Sequence, residues 1–86
     1  MENNITVYTL PNCVQCNQTK KVLDKAGVKY TTIDAKESEE AYNFITNGLG
    51  YKAAPVVTVR DIVTNDVIEH WSGFEPEKLN KYIGEK

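Results

Sequence analysis

The two cysteines of this chain are separated by two residues and lie between a strand-like and a helix-like segment. Upstream, residues 5–10 are rich in β-branched and aromatic side chains, and Pro11 and Asn12 predict a turn after them. Downstream, residues 14–26 carry small or apolar side chains at spacings of three and four, which predicts a helix. This arrangement requires a fold that places both sulfurs where a strand ends and the following helix begins.

The remaining sequence alternates between strand and helix patterns. Three further strands and two further helices are predicted, in chain order, as a strand at 28–34, a helix at 38–48, strands at 55–59 and 67–71, and a helix at 76–83. Ser38 is a typical N-cap, and Pro76 is typical of a first helical position. The order βαβαββα predicts an α/β fold with a four-stranded mixed sheet flanked by three helices.

Length and charge restrict the classes of function. A chain of 86 residues predicts one domain, over residues 1–86, with a small core. A net charge of -2 without a basic stripe argues against nucleic-acid binding. Because no stretch approaches the roughly 20 apolar residues of a membrane span, and no secretory signal is visible, we expect a cytoplasmic protein without a membrane partner.

The cysteine pair predicts thiol–disulfide exchange. A cysteine at a helix N-terminus faces unpaired backbone N–H groups and the positive end of the helix dipole, which favour its thiolate. Cys13 is therefore the predicted nucleophile, and Cys16, one turn further along the helix, is the predicted resolving thiol. No flavin or nicotinamide fingerprint is present, so the electrons must come from an external reductase or thiol.

Other interpretations of the pair remain open at this point. A purely structural disulfide would close a loop of only about four residues, which stabilises a fold weakly, at about 2 kcal/mol. A zinc site would need further ligands, and His70 is the only histidine in the chain. The two thiols could also be buried and inert. In a metal or iron–sulfur module, two chains would have to pool their four cysteines.

Four segments in this order resemble the glutaredoxin-like NrdH-redoxins of the thioredoxin superfamily. They are Thr6-Val7-Tyr8-Thr9, Cys13-Val14-Gln15-Cys16 with Thr19-Lys20, Ala54-Pro55-Val56-Val57 and Trp71-Ser72-Gly73-Phe74. The resemblance implies a monomeric dithiol carrier with a thioredoxin/glutaredoxin-like fold and no bound cofactor. It also implies electrons from NADPH through thioredoxin reductase, with a class Ib ribonucleotide reductase as the acceptor. A glutathione-dependent glutaredoxin is the alternative.

The resemblance also implies a partner-binding surface around the dithiol. The expected binding residues are Val14, Gln15, Ala54, Pro55, Trp71, Ser72, Gly73 and Phe74. In such folds a cis-proline, here Pro55, faces the dithiol, and the backbone of the preceding residue pairs with an extended substrate segment. Trp71 is expected either to support the core or to contact a partner.

The chain departs from the family pattern at charged positions. Leu10 stands where such proteins often carry lysine, which removes a cation that would favour the Cys13 thiolate. Glu75 stands where arginine is usual, so the charge that follows the Trp71 segment is reversed; Glu77 adds a further negative charge to this segment. Lys20 and its neighbour in the first helix are interpreted as solvated charges that could orient toward an acidic partner.

Overall fold

A single four-stranded sheet forms the centre of the computed structural model, which describes residues 3–83. The strands are β1 Asn3–Thr9, β2 Thr31–Asp34, β3 Val56–Asp61 and β4 Val67–Ser72. Their order across the sheet is β2-β1-β3-β4. β1 and β2 are parallel, whereas β1 with β3, and β3 with β4, are antiparallel. The predicted mixed sheet is confirmed.

Three helical segments connect and cover these strands. They are α1 Val14–Lys25, α2 Glu39–Asn43 with a π-helical continuation at Phe44–Gly48, and α3 Pro76–Ile83. Ser38 caps α2, because its hydroxyl accepts the N–H of Ala41 at 3.2 Å. Gly27, with φ at +73°, follows α1 in a conformation that glycine adopts without steric cost. The predicted order βαβαββα is confirmed.

Beyond shifts of one or two residues at other element ends, two features differ from the sequence prediction. β2 begins at Thr31 rather than at residue 28, because the residues before it are bonded to α1. The Val28 N–H donates to the carbonyl of Leu23 at 3.1 Å, and the Tyr30 hydroxyl donates to Asp24 at 2.7 Å. The π-helical turn was not predicted. It forms where the Leu49 N–H reaches the carbonyl five residues before it, at 2.9 Å.

Each face of the sheet has its own apolar core. One core joins α1 and α3 to the sheet and comprises Ile5, Val7, Leu23, Val57, Val59, Trp71 and Leu79. The other lies under α2 and comprises Tyr8, Ala35, Ala41, Ile45 and Val56. Val7 and Tyr8 belong to different cores because successive side chains of a strand point to opposite faces. The sheet is therefore covered on both sides.

The strand register brings three connections to one end of the sheet. Tyr8 near the end of β1 pairs with Val56 at the start of β3, and Val56 pairs with Ser72 at the end of β4. The segment after β1, the segment before β3 and the segment after β4 are consequently neighbours. These segments contain the cysteine motif, the Ala54–Pro55 pair and the Gly73–Phe74 pair.

Candidate active site

The two sulfurs are joined in a disulfide at the N-terminus of α1. The Cα atoms of Cys13 and Cys16 are 5.2 Å apart, within the range that a disulfide requires. Asn12, at φ +57°, forms the preceding turn in a left-handed conformation that asparagine tolerates. Cys13 is partly exposed, whereas Cys16 is only 2% exposed. An incoming group can thus reach the first sulfur and not the second.

Cys13 occupies the N-cap position of α1. Its backbone is extended, and its Sγ accepts the N–H of Cys16 at 3.1 Å. No acidic residue lies in the first turn of the helix. A backbone donor and the positive end of the helix dipole therefore act on the same sulfur, and both stabilise negative charge on it.

The segment before β3 is tied to the segment after β4. The Ala54–Pro55 peptide bond is cis, as the resemblance implied. The Pro55 carbonyl accepts the N–H of Gly73 at 2.7 Å, and the Ser72 hydroxyl donates to the carbonyl of Ala53 at 2.8 Å. These bonds fix the cis-proline segment and the Ser72–Gly73 turn as one unit.

Gln15, between the two cysteines, connects the dithiol turn to this unit. Its side-chain Oε1 accepts the N–H of Phe74 at 3.0 Å across 59 positions of sequence. A side chain at position 73 would have its Cβ atom in van der Waals contact with the same oxygen, at 3.5 Å. The Gln15 carbonyl in turn accepts the hydroxyl of buried Thr19 at 2.9 Å. The structure thus joins all three connections around the disulfide.

The expected binding residues differ in accessibility. Val14 is 70% exposed beside Cys13, Gln15 is exposed, and Phe74 is half-buried. Ala54 and Ser72 are half-buried as well.

Two expected binding residues have buried side chains. Pro55 is less than 2% exposed, and Trp71 is 3% exposed within the core shared with α1 and α3. The Trp71 ring stacks on Tyr82 within this core, which agrees with a supporting role, and a contact with a partner stays a prediction. Trp71 supports the turn that follows it.

Sequence reasoning did not identify two features of the site. The left-handed backbone of Asn12 is one, and the asparagine itself, next to proline, was the available signal. The other is Lys20, which lines the same cavity as both cysteines.

Within residues 3–83, no group of three or more His, Cys, Asp or Glu side chains is arranged to hold a metal ion. None of the helices in this range has the length and apolar character needed to cross a membrane.

Comparison with known proteins places these features in a family. The glutaredoxin family model matches residues 5–63. The gene 56 protein of Mycobacterium phage L5 is 32% identical over 79 residues, which cover 92% of this chain and 71% of that protein. The glutaredoxin-like protein NrdH of Escherichia coli K12 is 32% identical over 77 residues, which cover 90% of this chain and 85% of that protein.

A solved structure agrees with these sequence relatives. The NrdH-redoxin of Escherichia coli superposes with a TM-score of 0.77 at 31% identity, covering 91% of this chain and 92% of that one. The sheet, the three helices and the cysteine pair between β1 and α1 are those of the thioredoxin-like fold. The chain therefore belongs to the glutaredoxin family, as a thiol–disulfide oxidoreductase related to the NrdH glutaredoxin-like proteins.

Proposed function

We propose that this chain is a dithiol electron carrier in which Cys13 attacks a protein disulfide and Cys16 releases the product. The observation that carries this assignment is the asymmetry of the pair. Cys13 Sγ is partly exposed and accepts the Cys16 N–H at 3.1 Å, whereas Cys16 is 2% exposed. The accessible sulfur is thus the one that the backbone stabilises as a thiolate.

The reaction transfers two electrons in two exchange steps. The Cys13 thiolate attacks one sulfur of the substrate disulfide, which forms a mixed disulfide and expels the other substrate sulfur as a thiolate that takes up a proton. Cys16 then loses its proton and attacks Cys13 Sγ. The Cys13–Cys16 bond forms, the mixed disulfide breaks, and the substrate leaves as a dithiol. The carrier is oxidised and the substrate is reduced.

The surface around Cys13 is the proposed docking site for the substrate segment. Val14 presents an exposed apolar side chain beside the reactive sulfur. The backbone of Ala54, before the cis-proline, is proposed to pair with an extended substrate as an added strand. Ser72, Gly73 and Phe74 form the opposite wall, which Gln15 holds in place.

Thioredoxin reductase is the proposed source of electrons, with NADPH as the primary donor, and a class Ib ribonucleotide reductase in the cytoplasm is the proposed acceptor. The Escherichia coli NrdH-redoxin has a thioredoxin-like activity profile. In this chain the donors that could hold a glutathione carboxylate are already engaged. Ser72 Oγ donates to Ala53, and the N–H groups of Gly73 and Phe74 donate to Pro55 and Gln15. This saturation favours a protein reductant over glutathione.

A coupled assay tests the proposal. The oxidised protein is supplied with NADPH and thioredoxin reductase, or with NADPH, glutathione and glutathione reductase, and insulin is the disulfide substrate. We expect turnover in the first system, none with Cys13→Ser, and a trapped covalent adduct with Cys16→Ser, visible by mass spectrometry. Fast recharging by glutathione with none by thioredoxin reductase would reject the proposed donor. An active Cys13→Ser variant would reject the mechanism.

A further inference from the structure

The cavity at the dithiol contains one charged side chain. It has a volume of about 440 Å³ and is lined by Thr9, Leu10, Asn12, Cys13, Val14, Cys16, Asn17 and Lys20. The lining is otherwise polar or apolar without charge. Any electrostatic effect of a side chain within this cavity must therefore come from the Lys20 ammonium group.

The helix directs Lys20 toward the sulfurs. Lys20 follows Cys16 by four positions and Cys13 by seven, so all three lie on one face of α1. Side chains of an α-helix lean toward its N-terminus, which is where the disulfide lies. Lys20 is half-buried and is one of the residues that line the cavity of the two cysteines.

The Lys20 ammonium group has no ion-pair partner among residues 3–83. The ion pair found among residues 3–83 joins Lys81 to Glu69, far along the chain, and no carboxylate of that segment pairs with Lys20. The first turn of α1 carries no acidic residue either. A cation without a paired carboxylate therefore shares a cavity with a sulfur that becomes negative during the reaction.

We propose that Lys20 supplies the side-chain cation of the dithiol site and stabilises the Cys13 thiolate through space. The assignment rests on the proposed function, because a thiolate must form for the charge to matter. Lys20 is a charge-stabilising residue rather than a proton donor. Cys13 loses its proton to solvent, the anion that forms is attracted by the ammonium group, and the same attraction favours thiolate release when the internal disulfide is reduced.

The test compares two adjacent lysines. Lys20→Met removes the charge but keeps an unbranched stem, and Lys21→Met removes an equal charge from an exposed position outside the cavity. Iodoacetamide reacts with the reduced proteins between pH 4 and 9, and labelling of Cys13 is followed by peptide mass spectrometry. We expect the apparent pKa of Cys13 to rise by about half a unit in Lys20→Met, which slows labelling at lower pH by about threefold. Lys21→Met is expected to match the unmodified protein, and Lys20→Arg to restore its profile.

Salt provides a second readout. The difference between Lys20→Met and the unmodified protein should shrink in 1 M NaCl, because salt screens the attraction between the Lys20 charge and a partly exposed sulfur. The assignment would be overturned if the Cys13 pKa shifted equally in Lys20→Met and Lys21→Met, or if it stayed unchanged in Lys20→Met. It would also be overturned if the slower labelling of Lys20→Met did not depend on salt. These results differ from failure of the proposed function. If Lys20→Met keeps the pH profile of Cys13 labelling while Cys13→Ser is inactive, the role proposed for Lys20 is rejected and the proposed function stands.

Discussion

At the scale of single residues, the hydrogen bond from Phe74 to Gln15 is the one that joins the reactive turn to the opposite wall of the site. Nothing in the sequence pairs positions 59 residues apart, so Gln15 could be predicted as a site residue only from the family resemblance. Its function as a brace required the folded structure. The reactive cysteines, in contrast, were predicted from their spacing and from the strand and helix on either side.

Replacing Gln15 by alanine is expected to release the Phe74 N–H. The loss of one partly exposed hydrogen bond should lower the free energy of unfolding by about 1 kcal/mol and increase hydrogen exchange at the Phe74 amide. Gln18→Ala, at an exposed position of the same helix, is the matched control. NMR-detected exchange and urea unfolding measure both effects. Equal protection of Phe74 in the two variants would contradict the bracing role.

At the scale of elements, α3 is fastened to β4 by a polar cluster. Glu69 of β4 accepts hydrogen bonds from the Tyr82 hydroxyl and from the Lys81 ammonium group, which is 3.2 Å from its Oε1. The bond from Tyr82, with help from Lys81, holds the pKa of Glu69 below its ordinary value. Burial, and then the bond to Glu69, raises the pKa of Tyr82 to about 12. The two shifts describe one contact between the helix and the edge strand.

The Tyr82→Phe variant tests the contribution of this contact. A lowered carboxyl pKa adds stability above the unfolded value near 4.3, and that stability is lost as pH falls through the folded value. The variant should therefore be less stable than the unmodified protein by about 1–2 kcal/mol at pH 7, with the difference shrinking at acidic pH. The raised pKa of Tyr82 adds stability below pH 10, and that stability is lost as pH rises toward 12. The stability difference between the two proteins therefore also shrinks over this alkaline range.

Urea unfolding across the pH range measures these differences. Tyr42→Phe removes a hydroxyl from a tyrosine that is 47% exposed and serves as the control. A Tyr82→Phe effect that does not vary between pH 3 and pH 7 would contradict the assigned role of Glu69.

Element boundaries show where sequence patterns stop being sufficient. The strand-like composition of residues 28–30 correctly predicted apolar packing but wrongly predicted pairing in the sheet. Val28 and Tyr30 are hydrogen-bonded to α1 instead. The π-helical turn depends on the hydrogen bond from the Leu49 N–H to the Phe44 carbonyl, which no periodicity reveals. α3 was predicted accurately because Pro76 marks its start and Leu79, Tyr82 and Ile83 give a clear apolar face.

At the scale of the whole molecule, stability depends on two small apolar cores, one on each face of the four-stranded sheet. Leu79 is the fully buried residue of α3 in the core shared with α1, and Tyr82 and Ile83 pack against the same core. Leu79→Ala should lower the free energy of unfolding by about 2–5 kcal/mol, because it leaves a cavity. That loss is a large fraction of the roughly 5–15 kcal/mol that stabilises a small domain.

An exposed apolar residue gives the contrast. Ile68, on edge strand β4, is 52% exposed, so Ile68→Ala should change stability by about 0.5 kcal/mol or less. Denaturant unfolding of both variants measures the difference. If Ile68→Ala lowered the free energy of unfolding as much as Leu79→Ala, β4 would have to be covered in solution, contrary to the accessibility of Ile68 in this structure.

The antiparallel register of β1 and β3 has a practical consequence for engineering. Asn3 pairs with Asp61, while Tyr8 pairs with Val56, so the turn after Asp61 lies at the opposite end of the sheet from the sulfurs. Seven residues of strand separate the two ends, a span of about 20 Å. Val63, at the tip of that turn, is 87% exposed. A fluorophore or surface tether attached there would leave the end of the sheet that holds the disulfide unobstructed.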